Sequence, residues 1–520
     1  MARKWWTLTL VCVAAFMLLL DITIVNVAVP EIQNDLGASL SSLQWVIDAY
    51  TLTLAAFLLV AGSIGDRVGR RRVFSLGFGI FTVASLLCGI AGDPTVLNLA
   101  RGLQGIGGAA MFATTLALIA QEFDGRERAT AIGAWGATVG SAVAIGPLVG
   151  GLLTDGLGWE WIFLINVPIG VTAVVLTERK LVNITATDRQ PLDWPGVFTF
   201  STGLFLLIFG LIRGNPEGWS SGLIIGALAG AVALLSSFMV IEAQRGERAM
   251  LDLKLFRKPS FTGMSVAAWA LSAGMFSMFP FITLYIQNVL GYSSLEVGVR
   301  LLPLTLLSFF VAPTAARAMK RVGARSLMSG GLAAVGAGLL AQRGLSGDSD
   351  WTHLLPGFLL IGFGMGLLNP AIAATAIGVV PAARSGMASG INNTCRQVGI
   401  ATGVAGLGAV FQSQIASHLN DLLPNAPTGF DELVSAGGTR AAVDTSPSQF
   451  QAQTGDAATN AFVASFNDIL LIGAIVLFAG AVLTFALVRH GDFVDTPSDE
   501  PGSGKPSPSP THPESVRAGR

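Results

Sequence analysis

Apolar residues in this chain run in long unbroken blocks, not in the one-sided stripes that let a helix face water on its other side. A helix needs about 20 predominantly apolar residues to cross a bilayer. Blocks of that kind occur fourteen times, at residues 6–29, 44–65, 73–91, 95–120, 131–153 and 161–176, then 194–212 and 223–241, then 261–285, 297–318, 326–342, 354–380, 393–411 and 468–488. The pattern predicts an all-α polytopic membrane protein whose spans group as six, two and six.

Charges between the blocks test the count independently, because Lys and Arg collect on the cytoplasmic side. With the N-terminus inside, the cytoplasmic connections hold Arg67, Arg70, Arg71 and Arg72; Arg126 and Arg128; Arg179, Lys180 and Arg189; Arg245, Arg248, Lys254, Arg257 and Lys258; and Lys320, Arg321, Arg325 and Arg384. The outer connections hold only Arg213, Arg343 and Arg440. A miscounted span would invert this asymmetry for everything after it, so both termini are expected in the cytoplasm. An internal repeat has the same register: D-R-V-G-R-R (66–71) follows the second block and K-R-V-G-A-R (320–325) the tenth. Set aside the middle pair and both fall at one point of a six-helix unit, as in transporters built from repeats. The expected division is a first six-helix bundle (1–177), two inserted helices with flanking loops (178–260), a second six-helix bundle (261–490) with an extracellular loop at 412–467, and a disordered tail (491–520) rich in Pro, Ser and charge.

Composition narrows the partners. The chain is 52% hydrophobic and only 12% charged, too little charge to cover a water-facing surface. Glycine, 63 of 520 residues, lets helices approach closely in lipid. A net charge of −1 gives no basic excess to attract nucleic acid. Cys12, Cys88 and Cys395 lie apart within blocks, suggesting neither disulfides nor a metal site. The first block, at about 24 residues, is too long for a signal peptide's roughly 7–15 and is expected to be retained.

A charge inside the bilayer costs several kcal/mol, roughly 2.5–3.5 on insertion scales, so each one is a candidate functional group. Asp21, Asp48 and Arg101 fall ~13, ~6 and ~9 Å from the outer ends of spans one, two and four at ~1.5 Å per residue. That common depth predicts a cluster in which burial favours a protonated acid and arginine favours a charged one, a balance suited to proton exchange; the competing reading leaves Asp48 at the outer interface and Arg101 on a backbone carbonyl. The second bundle has no well-centred acid, and Arg300, Arg317 and Arg396 stand near enough to span ends to snorkel. Candidate substrate-cavity groups are Asn26 and Gln104 in the first bundle and Tyr285, Gln287, Asn369 and Asn393 in the second, all able to serve equally as hydrogen-bonding glue between helices. The connection 62–72 packs Gly62, Gly69, Asp66, Arg67, Arg70 and Arg71 together. Its acid can pair with arginine or face a helix N-terminus, as a gate latch would; the plainer reading is a positive-inside loop. Gly146, Pro147, Gly150 and Gly151 form G-P-L-V-G-G in span five, a bend or simply a packing kink.

At these residues the chain resembles the major facilitator superfamily, and within it the fourteen-span drug:proton antiporters. G-S-I-G-D-R-V-G-R-R-R (62–72) resembles the superfamily's loop between helices two and three. L-A-R-G-L-Q-G-I-G-G-A-A (99–110) resembles the fourth-helix motif, which implies a proton-transfer role for Arg101. G-P-L-V-G-G (146–151) resembles the antiporter motif of exporters, with Ala142 where an earlier glycine is usual. L-D-I-T-I-V-N-V-A-V-P (20–30) resembles the first-helix motif of the fourteen-span family, Asp21 matching its acid, and W-E-W-I-F-L-I-N-V-P-I-G (159–170) is similar to that family too. In the second half the likeness covers 284–298 and 386–399, and Q-W-V-I-D-A-Y-T-L (44–52) is similar to actinobacterial exporters of antibiotics or lipophilic cations.

The resemblance implies a proton-driven exporter of lipophilic drugs or antibiotics in the plasma membrane, working by alternating access as a monomer, with the proton gradient as energy source and no cofactor. Its substrate would be small and lipophilic, cationic compounds included, and lipid its other partner. A proton-independent facilitator or importer of the same fold is the alternative. A membrane-embedded enzyme is disfavoured, because His353, His418, His490 and His512 are scattered and no HExxH or GxxxxGK[ST] occurs.

Overall fold

The computed structural model describes residues 3–37, 40–182, 193–246, 249–347, 349–381, 384–423, 430–435 and 451–493. Helices account for nearly all of these residues and no strand occurs among them. The tail 494–520 lies outside the described residues, as do the side chains of Asn26 and Pro147.

The first bundle comprises α1 (Arg3–Leu36), α2 (Leu40–Val68), α3 (Arg70–Gly89), α4 (Pro94–Glu122), α5 (Gly125–Leu157), the single turn α6 (Trp161–Leu164) and α7 (Asn166–Lys180). Within it α4 packs against α2 and α3, α5 against α1, and α7 against α3. Asp93 starts α4 by accepting from the backbone N–H groups of Thr95 (2.8 Å) and Val96 (3.1 Å), with Pro94 in the first turn. Glycines set the spacing: a Cβ on Gly107 would sit 2.5 Å from Phe81 N, and one on Gly77 2.7 Å from Met111 N, so α3 and α4 run nearly backbone to backbone.

α8 (Trp194–Glu217) and α9 (Gly222–Arg245) form an antiparallel pair, and α8 lies against both α2 and α14. The second bundle holds α10 (Pro259–Gly274), α11 (Phe279–Leu284), α12 (Ser294–Ala341), α13 (Leu355–Gly378), α14 (Ser385–Leu422), the short α15 (Phe430–Ser435) and α16 (Gln451–Leu487). The bundles meet where α2 packs on α14 and α5 on α12.

The repeat read from the sequence has a conformational counterpart. α12 carries two spans, and its non-helical point is Gly323 at φ 81°. The corresponding glycine of the first unit, Gly69, separates α2 from α3 at φ 114°. Only glycine adopts such angles without strain, so each turn is written into its repeat.

Thirteen of the described helical segments are long and apolar enough to cross a membrane. The expected fourteenth, at 131–153, falls on α5, a 33-residue helix with several side chains outside the description, and is not among the thirteen. Two boundaries also differ from expectation. α14 begins at Ser385, not near residue 393, because G-M-A-S-G-I-N-N scores low in hydropathy yet its small residues pack tightly on α2. The stretch 412–467, expected as a polar loop, is helical at all described residues but Leu423: α14 runs on to Leu422, α15 follows, and α16 spans Gln451–Leu487.

Candidate functional site

Asp21 and Arg101 form an ion pair in the first bundle, each side chain at most 1% exposed. Arg101 Nη1 also donates to Gln104 Oε1 (2.7 Å) and its Nε to the Val46 carbonyl (2.9 Å). Gln104 Nε2 in turn donates to Asp21 Oδ1 (2.9 Å) and Ser85 Oγ (2.9 Å). The Tyr50 ring lies 4.3 Å from the guanidinium carbon, a cation–π contact, and Tyr50 Oη donates to the Leu18 carbonyl (3.3 Å). Local sequence builds this. In α4, Arg101, Gln104, Gly105 and Gly108 share one face, and a Cβ on Gly105 would meet Tyr50 O at 2.4 Å, so only glycine lets α4 press the arginine between α1 and α2. Chemically, Arg101 keeps a carbonyl, an amide and a ring as partners if Asp21 takes a proton. The acid can therefore change charge without stranding the cation.

Gln104, expected in the substrate cavity, is bonded to Asp21, Arg101 and Ser85. Asp48 does not join these groups. Its carboxylate faces Arg213 of α8 at 3.7 Å, and Arg213 also donates to Gln44 Oε1 (2.8 Å) and pairs with Glu217 (2.5 Å). Equal depth on a helix does not mean an equal face. Residues 48 and 50 point some 200° apart at ~3.6 residues per turn, so Tyr50 turns toward Arg101 while Asp48 turns toward the inserted pair. Arg213, expected in an outer loop, is only 5% exposed. The clue was present: it is a lone arginine near the end of an otherwise apolar block.

The connection 62–72 splits between tasks. Asp66 accepts from the backbone N–H groups of Gly386 (3.0 Å) and Met387 (2.8 Å), in the first turn of α14 in the opposite bundle. Arg70 clamps the same carboxylate through Nε (3.0 Å) and Nη2 (2.9 Å) and donates from Nη1 to the Ala117 carbonyl (3.2 Å). Both sequence options for Asp66, an arginine and a helix N-terminus, are thus realised together, and the acid ties the two bundles. Arg67 Nη2 reaches the Ala249 carbonyl (3.3 Å), and Arg71 pairs with Glu178. The tie depends on small residues: a Cβ on Gly62 would lie 2.3 Å from the Gly386 carbonyl oxygen. Gly62→Ala is expected to lower thermal stability by about 1–3 kcal/mol through overpacking at a backbone contact; an unchanged unfolding curve would contradict this packing.

Gly146 and Gly150 are buried and Gly151 half-buried in α5, which runs through the motif without a helix break. A Cβ on Gly146 would collide with Thr23 Oγ1 at 1.8 Å, so this part of the motif seats α5 on α1, whereas a Cβ on Gly151 would meet no neighbouring element within 4 Å among the described residues.

In the second bundle Tyr285 opens a one-turn π-helix (Tyr285–Val289) that also holds the half-buried Gln287. The Tyr285 ring stacks on Phe466 at 5.3 Å, and its hydroxyl has no partner among the described residues. Asn369 Oδ1 accepts from Arg396 Nη2 (2.8 Å). Arg396 therefore does not stand at a span end free to snorkel: with α14 starting at Ser385, it falls well inside the helix. Asn393 is buried, and neither atom of its side-chain amide has a partner among the described residues.

A family model described as Major Facilitator Superfamily matches residues 11–404. The chain is 37% identical over 425 residues to the puromycin resistance protein pur8 of Streptomyces alboniger, covering 81% of this chain and 84% of that one. It is 33% identical over 506 residues to the tetracenomycin C resistance and export protein of Streptomyces glaucescens, covering 94% and 93%. It is also 32% identical over 423 residues to the multidrug transporter protein MdtP of Bacillus subtilis, covering 81% and 78%. Among solved structures, the human organic anion transporter MFSD10 (TETRAN) has the same fold at a TM-score of 0.56 and 14% identity, covering 91% of this chain and 99% of that one. With the family model running through both bundles and relatives matching most of each chain, this multi-pass membrane protein belongs to the Major Facilitator Superfamily and is a transporter, not an enzyme.

Proposed function

We propose that the protein exports lipophilic drugs or antibiotics by alternating access, driven by protons entering through Asp21. The observation that carries this reading is the buried Asp21–Arg101–Gln104 network: an acid in the hydrocarbon region whose cationic neighbour stays solvated by protein when the acid is neutralised. Relatives named for resistance to puromycin, for export of tetracenomycin C and for multidrug transport support the drug class. Proton uptake at Asp21 loosens its grip on Arg101, and the Asp66 tie to α14 releases as the bundles rock. The protein would sit in the plasma membrane as a monomer with its arginine-rich connections and both termini in the cytoplasm, using no cofactor. Asp48, paired with Arg213, would join the inserted helices to α2 and stand apart from the proton path.

The test is uptake of a substrate panel into vesicles reconstituted with the purified chain under an imposed pH gradient. Accumulation against the substrate gradient that collapses with a protonophore is expected. Equal flux with and without the pH gradient would replace antiport by facilitated diffusion.

A further inference from the structure

Among the described residues, the second bundle holds a buried cation, Arg396, that makes no ion pair with a carboxylate. Arg396 lies roughly 16 Å along α14 from Ser385 at ~1.5 Å per residue, near the middle of a ~30 Å hydrocarbon core. Its Nη2 donates to Asn369 Oδ1 (2.8 Å), its Nε is buried with no partner, and no carboxylate pairs with it among the described residues. One turn before it, Asn392 and Asn393 are 0% and 1% exposed, and neither nitrogen nor oxygen of either side-chain amide is hydrogen-bonded among the described residues. Ser389 Oγ and Asn369 Nδ2 are in the same condition. Residues 389, 392, 393 and 396 follow the i, i+3, i+4, i+7 spacing of one helix face.

That stripe lies beside the seam between the bundles. Gly390, between Ser389 and Asn392 in sequence but on the adjoining face of α14, packs on Leu58 and Leu59 of α2, and Pro370, next to Asn369, packs on Gly136 of α5, so the stripe runs alongside the contact between the bundles. Polar groups that merely glued helices would be bonded to each other, because an unmade buried hydrogen bond is costly. A guanidinium and several amide donors converging without a carboxylate have the chemistry that holds an anionic oxygen pair.

We propose that this stripe is a substrate subsite taking the anionic oxygen group, such as a carboxylate, of a small lipophilic molecule. The proposal rests on the transporter reading and gives its substrate a charge preference opposite to a lipophilic cation. The probes are 9-anthracenecarboxylate and 9-anthracenemethylammonium, ring-matched and opposite in charge, titrated against the purified full chain in a neutral detergent. The native protein is expected to bind the carboxylate at least tenfold more tightly than the ammonium, and Arg396→Gln to abolish that preference. Arg396→Lys should retain part of it. Asn393→Asp, which keeps the arginine and sets an acid one turn away, should reverse the preference, so the proposal stays testable if Arg396→Gln fails to fold. Equal native binding of both probes, an unchanged preference in Arg396→Gln, or full displacement of the carboxylate by phosphatidylglycerol would overturn the subsite. Carboxylate preference without pH-driven flux in vesicles would overturn the exporter reading alone; pH-driven flux without charge preference would overturn only the subsite.

Discussion

Replacing Asp21 with asparagine is expected to reduce pH-driven transport to the leak rate of empty vesicles while the protein still inserts. Asparagine keeps the shape and one acceptor for Gln104 Nε2, but it cannot take up and release a proton. It also removes the carboxylate that pairs with Arg101, both side chains being almost wholly buried. Breaking a buried pair from one side costs about 3–5 kcal/mol where the remaining charge has no other partner; the Val46 carbonyl, Gln104 and the Tyr50 ring stay on Arg101 and offset part of that cost. A lowered melting temperature should therefore accompany the lost flux. The two effects separate in the double variant Asp21→Asn with Arg101→Gln: removing both charges should restore much of the stability and none of the coupling. Undiminished pH-driven flux in Asp21→Asn, measured with a pH-sensitive dye inside the vesicles, would remove Asp21 from the proton path.

The second large effect is expected at Asp66. Its carboxylate accepts from two backbone N–H groups of α14 and two nitrogens of Arg70, so it is the acid that joins the bundles at their arginine-rich ends. A hydrogen bond to a charged group contributes about 1.5–3 kcal/mol. Losing the two that cross between bundles in Asp66→Ala should shift the equilibrium between closed and open arrangements by roughly 10²-fold or more. Spin labels at the exposed Val68 and Val322, equivalent positions of the two repeats, should move apart in this variant, and transport should fall because one state of the cycle dominates. An unchanged distance distribution would show that the tie does not hold the bundles together.

Why some of this was legible in the sequence and some not follows from the particular residues. Asp21 and Arg101 stood out because an ionisable group within an apolar block is conspicuous wherever it points. The dual character of Asp66 was also legible, since a carboxylate beside Gly69 and Arg70 has few other uses. Arg396 and the start of α14 were not. A run such as G-M-A-S-G-I-N-N reads as a connection to any scale that sums hydropathy, because its favourable packing comes from backbone approach to α2 and not from apolar area. The expected grouping of Asp48 with Asp21 and Arg101 does not form, for a related reason: depth can be counted along a helix, but its partner Arg213 belongs to the inserted pair, distant in sequence.

By itself, then, the sequence determined which segments are apolar enough for lipid, the repeat that places Gly69 and Gly323 at matching turns, and which charges are too costly to be accidental. These are local quantities, summed over one segment. Only the tertiary structure decided which side chains meet: that Gln104 completes the Asp21 pair, that Asp48 turns to α8, and that Arg396 meets Asn369 of α13. Such meetings depend on the azimuth of each helix and on how closely its glycines let a neighbour approach, and no sum along one segment contains either.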